Sequence, residues 1–151
     1  MTLVAKNRKI VMKSRFRVEI DGIGDFRAME AGPLKISLNL SENEEGGAET
    51  TVDITTNGYK FDPFQIARAL TDEDDSLANW VETLKSGIQD RRNGAIYALD
   101  TEGNDLFRWD IEQISVADYE EFSGDAKSKE DSMMERATIR YLRRGKRVRL
   151  Q

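Results

Sequence analysis

Apolar and polar residues alternate in short runs on either side of one segment with helical spacing, and this pattern constrains the fold more than any other feature of the chain. In residues 15–21, Phe16, Val18 and Ile20 alternate with Arg15, Arg17 and Glu19, which predicts a half-buried strand. Gly22 and Gly24 then turn the chain. Leu34, Ile36, Leu38 and Leu40 alternate with Lys35, Ser37 and Asn39 in a second strand. Residues 41–47, SENEEGG, read as a polar flexible loop. A third strand follows in residues 48–56, with Val52 and Ile54 on one face and Thr51, Asp53 and Thr55 on the other. Two strands joined by one loop make a hairpin.

The period then changes. Leu77, Trp80, Val81, Leu84 and Ile88 form one stripe at helical spacing, and Ser76 is placed to cap that helix. The acids before it, Asp72, Glu73, Asp74 and Asp75, suit the positive end of the helix dipole. A shorter helical segment is expected within residues 63–70, with Pro63 near its first turn. Strands return afterwards. Residues 96–100 and 106–111 flank the turn-forming TEGN and predict a second hairpin. Residues 117–132 are acidic and read as loop-rich. Ala137, Ile139 and Tyr141 alternate with Arg136, Thr138, Arg140 and Leu142 in a last strand, which Gly145 is placed to break. Strands around one amphipathic helix predict a mainly β (α+β) fold, a β-sandwich or β-barrel of antiparallel strands with one packed helix. A chain of 151 residues suits a basic N-terminal arm over 1–14 and one domain over 15–151.

Composition narrows the chemistry. The chain has no histidine and no cysteine. That removes Ser-His and Cys-His nucleophile pairs, imidazole- or thiolate-held metals and disulfides. The N-terminus lacks the apolar stretch of a secretory signal, and no apolar run approaches bilayer length, so assembly in the cytoplasm is expected. Charge is unevenly placed. Residues 1–17 carry six basic side chains and residues 136–151 carry seven, with no acid in either. Residues 18–135 hold the other ten basic residues and all 28 acids, a local charge of −18. Basic ends on an acidic body attract an identical neighbour as well as a foreign anion.

The motifs that suggest ligands have plainer readings. The run Asp72–Asp75 is a helix start rather than a cation cage. DTEGND, residues 100–105, lacks the spacing of a calcium loop and sits where a hairpin turn is expected. Glu44 and Glu45 beside Gly46 and Gly47 would repel a phosphate. The C-terminal cations could neutralise several phosphates, which keeps a small nucleic-acid-binding β-barrel as an alternative. The only aromatic residue among them is Tyr141, on the apolar face, and Trp80 and Trp109 read as core. No catalytic, cofactor or metal site is assigned.

In order, the fragments resemble the tail tube proteins of contractile phages, R-type pyocins and extracellular contractile injection systems. They are F-x-V-x-I-D-G at Phe16–Gly22 with Phe26 after it, then E-E-G-G at Glu44–Gly47 and L-A-N-W at Leu77–Trp80. Arg91 and Arg92 follow, then I-x-x-L-D-x-x-G at Ile96–Gly103 with Trp109 beyond, so the set spans about residues 15–143. The chain departs from the family where TTNGYKFDPF stands in place of a Pro-Gly before the strand that precedes the helix. Its strongly basic C-terminus and longer N-terminal arm also fit a tube-initiator or baseplate paralogue.

The resemblance implies an inner tube subunit: hexameric rings stacking into a hollow conduit for cargo or DNA, with the helix outside, towards a contractile sheath. Baseplate and terminator proteins would be further partners, and no cofactor is implied. The short polar side chains of Lys35, Ser37, Asn39, Thr51, Asp53 and Thr55 then become the lumen-facing set. Ser41, Glu42, Asn43, Glu44, Glu45, Gly46 and Gly47 become the inter-ring contact. Arg143, Arg144, Lys146 and Arg147 become inter-subunit electrostatic contacts.

Overall fold

The alternation in residues 16–20 does form a strand, and the glycines after it let the chain reverse at once. The computed structural model describes residues 16–45, 51–123 and 133–151. Strand β1 (Phe16–Ile20) pairs antiparallel with β2 (Gly24–Ala28), Phe16 opposite Ala28. Between them Gly22 and Gly24 take φ of 77° and 93°, values that side chains with a Cβ rarely adopt. One residue, Met29, separates β2 from β3 (Glu30–Gly32). The long hairpin β4 (Ile36–Glu45) and β5 (Thr51–Phe61) follows, then β6 (Phe64–Ala69), helix α1 (Ser76–Lys85) and β7 (Arg92–Leu99). The 19-residue β8 (Asp105–Ser123) comes next, followed by β9 (Met134–Arg140), β10 (Arg143–Arg144) and β11 (Val148–Arg149).

The main sheet runs β2-β1-β7-β8-β9-β6-β3. Its two end strands are consecutive in the chain, and the Met29 amide between them donates to the Ala67 carbonyl of β6 at 2.8 Å. The path therefore returns on itself, and the sheet is a closed barrel. The expected sandwich or barrel is a barrel. Val18, Ile20, Phe64, Ile66, Ile96, Ile111, Ile114 and Ile139 fill its interior. The space left among them is about 10 Å³, too little for a ligand. β8 serves both halves. It pairs with β7 up to Ile114 and with β9 from Ser115 onward. At the crossing Gln113 takes a φ of 57°, and its amide is held by the Asn93 side chain at 3.1 Å.

α1 carries the expected stripe. Leu77 and Trp80 are buried, and the indole donates to the Asp90 carbonyl at 2.8 Å. Ser76 proves to be the first helical residue, and no side chain caps the preceding Asp75 position. The Asp74 carboxylate instead accepts from the Ser76 amide at 3.0 Å and from its hydroxyl at 2.5 Å. Those two bonds hold Asp74 below the usual carboxylate range, with Arg68 adding to them. Gly87, at φ 90°, ends the helix, so Ile88 falls beyond the stripe and is exposed.

Three expectations change. Residues 63–70 hold no helix. β6 is paired on both sides, to β9 and to β3, and tertiary pairing overrides the local signal. Ser41, Glu42, Asn43, Glu44 and Glu45 are not loop but the second half of β4, paired along the ladder with β5. Gly46 and Gly47 lie outside the described residues, as does the 1–14 arm. Residues 117–123 are likewise strand, the end of β8 against β9, and 124–132 lie outside the described residues.

One close approach tests this architecture. A Cβ at Gly94 of β7 would collide with the Glu19 carbonyl of β1, inside the barrel wall. Gly94→Ala should force the two strands apart and lower stability by about 1–3 kcal/mol, read as a shifted urea midpoint. An unchanged midpoint would mean that β1 and β7 are not packed this closely.

Candidate assembly surface

Among the described residues, the hairpin β4–β5 forms a two-stranded sheet of its own outside the barrel. Its register runs from Ile36 opposite Phe61 to Glu45 opposite Thr51, with an irregularity between Leu38 and Leu40 where Gly58 sits across from Asn39. At about 3.3 Å per residue the ladder is about 30 Å long. Aromatic packing fixes its root. Phe61 stacks on Tyr141 with ring centres 5.3 Å apart, and Tyr141 meets Phe64 edge-on at 5.4 Å. Beyond the root, β4 and β5 pair only with each other among the described residues, so both outer edges carry unpaired backbone groups.

The register gives the hairpin two unlike faces. Ile36, Leu38, Leu40, Ile54 and Tyr59 share one, and they are 41%, 54%, 62%, 63% and 62% exposed. A core face would be covered; this one stands in water. Ser37 and Thr55 lie on the other face, with the register positions Asp53 and Thr51. Lys35 and Asn39 continue that alternation, so the six residues assigned to a lumen fall on one side. A lone two-stranded ribbon is marginal in water, and a contiguous apolar face of this kind marks a contact surface.

Two clefts flank the hairpin root. One, of about 610 Å³, is lined by Lys60, Phe61, Asp62, Arg91, Gln113, Arg140 and Tyr141 among others. Burial pushes the Tyr141 hydroxyl above its usual range, Arg144 opposing the shift. The other, of about 300 Å³, is mostly apolar, with Phe16, Pro33, Leu34, Ile96, Trp109 and Arg144 around it.

The C-terminal cations lie on a ribbon that folds back along β8. Arg143 pairs with Glu112 and Val148 with Arg108, and Gly145 interrupts the ribbon with its amide on the Asp110 carbonyl at 2.8 Å. Arg144 sits over the Phe61 ring at 5.6 Å and Arg147 over Phe107 at 4.7 Å. Arg143 approaches Glu112 at 3.8 Å while mostly exposed, and Lys146 is exposed. Two of the four cations assigned to subunit contacts thus rest on rings of their own subunit.

Sequence reasoning missed a buried charge cluster. Arg68 of β6 and Glu135 of β9 are 5% and 2% exposed and form a direct ion pair. Tyr119 of β8 donates its hydroxyl to the other Glu135 oxygen at 2.6 Å, and Arg68 also reaches Asp74 at 3.1 Å. Burial first, then the Glu135 charge, holds the Tyr119 hydroxyl protonated well above its ordinary range. The Arg68 guanidinium lies over Phe26 at 4.7 Å. The cluster ties three barrel strands to the entrance of α1. Its charges are spent on one another, and among the described residues no group of acids gathers to hold a metal. Asp100 of the DTEGND stretch is likewise a turn residue, accepting the Glu102 and Asn104 amides at 2.9 Å each.

Two outcomes follow from these contrasts. Glu135→Ala removes the buried counter-charge of Arg68, leaving it only the partly exposed Asp74, and should cost about 3–5 kcal/mol in urea unfolding. Leu40→Lys with Ile54→Lys alters side chains already in water, so subunit stability should stay within about 0.5 kcal/mol per site. Self-association in sedimentation velocity should nevertheless fall sharply, and unchanged association would show that this face meets nothing.

A family model described as T4-like virus tail tube protein gp19 matches residues 12–143. A search of curated proteins returned no match. Among solved structures, the fold is similar to the anti-feeding prophage tube terminating cap, at TM-score 0.80 and 14% identity over 97% of this chain and 96% of that one. It is similar to a chain of an extracellular contractile injection system sheath-tube complex, at TM-score 0.78 and 15% identity over 93% of each chain. It is also similar to Hcp1 from Flavobacterium johnsoniae, at TM-score 0.55 and 15% identity over 89% of this chain and 98% of that one.

Proposed function

We propose, from the premise that this chain belongs to the T4-like virus tail tube protein gp19 family, that six copies close into a ring and that rings stack into a hollow conduit. The observation that carries this reading is the hairpin: about 30 Å of ribbon with an apolar face in water and both edges unpaired. Hairpins laid edge to edge around a ring would satisfy those backbone groups and cover Leu38, Leu40 and Ile54 at the same time. Burying each such side chain is worth about 1.5–3 kcal/mol. The polar set Lys35, Ser37, Asn39, Thr51, Asp53 and Thr55 would then face the lumen, where cargo or DNA passes. A contractile sheath would surround the tube, and baseplate and terminator proteins would cap it.

The subunit acts by assembly rather than catalysis, forms in the cytoplasm and becomes part of a phage tail or phage-tail-like particle. Arg143 and Lys146, the more outward of the four C-terminal cations, would add weak attraction between the basic ribbon and the acidic body of a neighbour. Each such exposed pair is worth about 0–1 kcal/mol. The far end of the hairpin, Ser41–Gly47, would touch the next ring.

Size-exclusion chromatography and negative-stain microscopy of the pure protein test the reading directly. Rings or tubes are expected, and a monomer that retards oligonucleotides would instead support the nucleic-acid-binding barrel. Deleting Glu44–Gly47 should leave folded subunits and rings but remove tubes; tubes of normal length would exclude this end of the hairpin as the stacking element.

A further inference from the structure

We infer that the 610 Å³ groove at the root of the hairpin is the seat for the acidic far end of the same hairpin from another copy, and that this tip-to-root contact sets the stacking of rings. The inference rests on the tube reading and names the surface that receives the hairpin.

The groove is positive by more than composition. Lys60, Arg91 and Arg140 line it, all three are exposed, and none forms an ion pair among the described residues. The one acid in its wall, Asp62, is already engaged, accepting from Ser37 at 3.0 Å and facing Lys35 at 3.7 Å. Gln113 adds another donor, aimed by the kink in β8. Three cations without counter-charge around one concave space make a site for carboxylates.

The same chain carries the complementary charge. Residues 41–53 contain five acids, Glu42, Glu44, Glu45, Glu49 and Asp53, and no lysine or arginine. In their own subunit Glu42, Glu44, Glu45 and Asp53 hold register positions at the opposite end of the ladder. The groove borders Tyr59–Asp62, and the pairs from Glu42↔Ile54 to Glu45↔Thr51 stand about 20–30 Å away along a paired ribbon. A paired ribbon cannot fold back on its own root, so an acid that reaches the groove belongs to another copy. A contact between two different patches of identical subunits closes into a ring where its rotation closes and otherwise stays open, and here, on the tube reading, hairpin edges already close the ring. Repeated along one direction it propagates as a column. The attraction is between partly exposed charges, so it weakens at high salt.

The test uses the full chain and two charge variants. The first is Arg91→Glu with Arg140→Glu. The second is Glu42→Lys with Glu44→Lys and Glu45→Lys. Circular dichroism first establishes that both fold, and Lys60→Glu with Arg91→Glu replaces the first variant if it does not. Each variant alone should give rings, with mean tube length by electron microscopy reduced at least tenfold. An equal mixture of the two should recover long tubes, because every root then meets a tip of opposite sign. Long tubes from either variant alone, or no recovery on mixing, would overturn the tip-to-root assignment and leave the ring reading standing. A wild-type protein that forms no rings would instead overturn the ring reading. If the arginine variant stacks normally but loses binding of a fluorescent single-stranded oligonucleotide, the groove belongs to nucleic acid and the inference fails.

Discussion

The barrel closes through a strand interrupted at one residue, and the rest of the molecule is arranged around that closure. β2 takes its place beside β1, β3 takes its place beside β6, and Met29 joins them with its amide on Ala67. β3 and β6 are therefore neighbours, yet 31 residues stand between Gly32 and Phe64 in the chain. The hairpin β4–β5 is the connection between two strands that already touch. No position in the barrel wall is left for it, so it leaves from one mouth and returns to the same mouth. Its exposure follows from topology before any side chain is considered.

Inside the wall the opposite rule holds, and buried charges are paired at close quarters. Arg68 is one of three buried polar or charged residues among the described residues, and it sits with Glu135, Tyr119 and Asp74 where β6, β8, β9 and the start of α1 converge. Buried ions of this kind contribute little to net stability beside an apolar alternative, but they penalise any arrangement that separates them. The cluster thus favours one register of β6 against β9 and one entry point for the helix. The barrel is specified by groups that no longer face water, and the hairpin is left as the part still able to gain from a neighbour.

Much of this was legible in the chain. Period-two runs located β1, β9 and the start of β4, the TEGN turn located β7, and the stripe through Leu77 and Trp80 located α1, because apolar residues there recur on one face or flank a clear turn. The failures share a cause. β6 is covered on both faces, so Ala67 and Arg68 are as buried as Ile66 and no alternation survives. The acidic half of β4 and the end of β8 are strands paired along their backbones, and acidic residues interrupt the apolar alternation there. The ion pair of Arg68 and Glu135 joins positions 67 residues apart, and neither residue type announces burial. At the assembly surface the acidic segment and the arginines could be read, but the groove between hairpin root and barrel mouth could not. It exists only once Arg91 of the α1–β7 connection, Gln113 of β8 and Arg140 of β9 are brought together.

β8 has a mechanical consequence. Its 19 residues extend for about 60 Å and belong to both halves of the barrel. Load entering at one end of the subunit can travel to the other along covalent backbone, without crossing a packed side-chain boundary. The strands alongside it lie antiparallel along most of its length, so a pull along its axis strains many ladder bonds in shear together rather than peeling them apart in turn. The subunit is in this sense a tie-rod with a barrel wrapped around it, stiff along the strand direction and compliant mainly at the Gln113 bend.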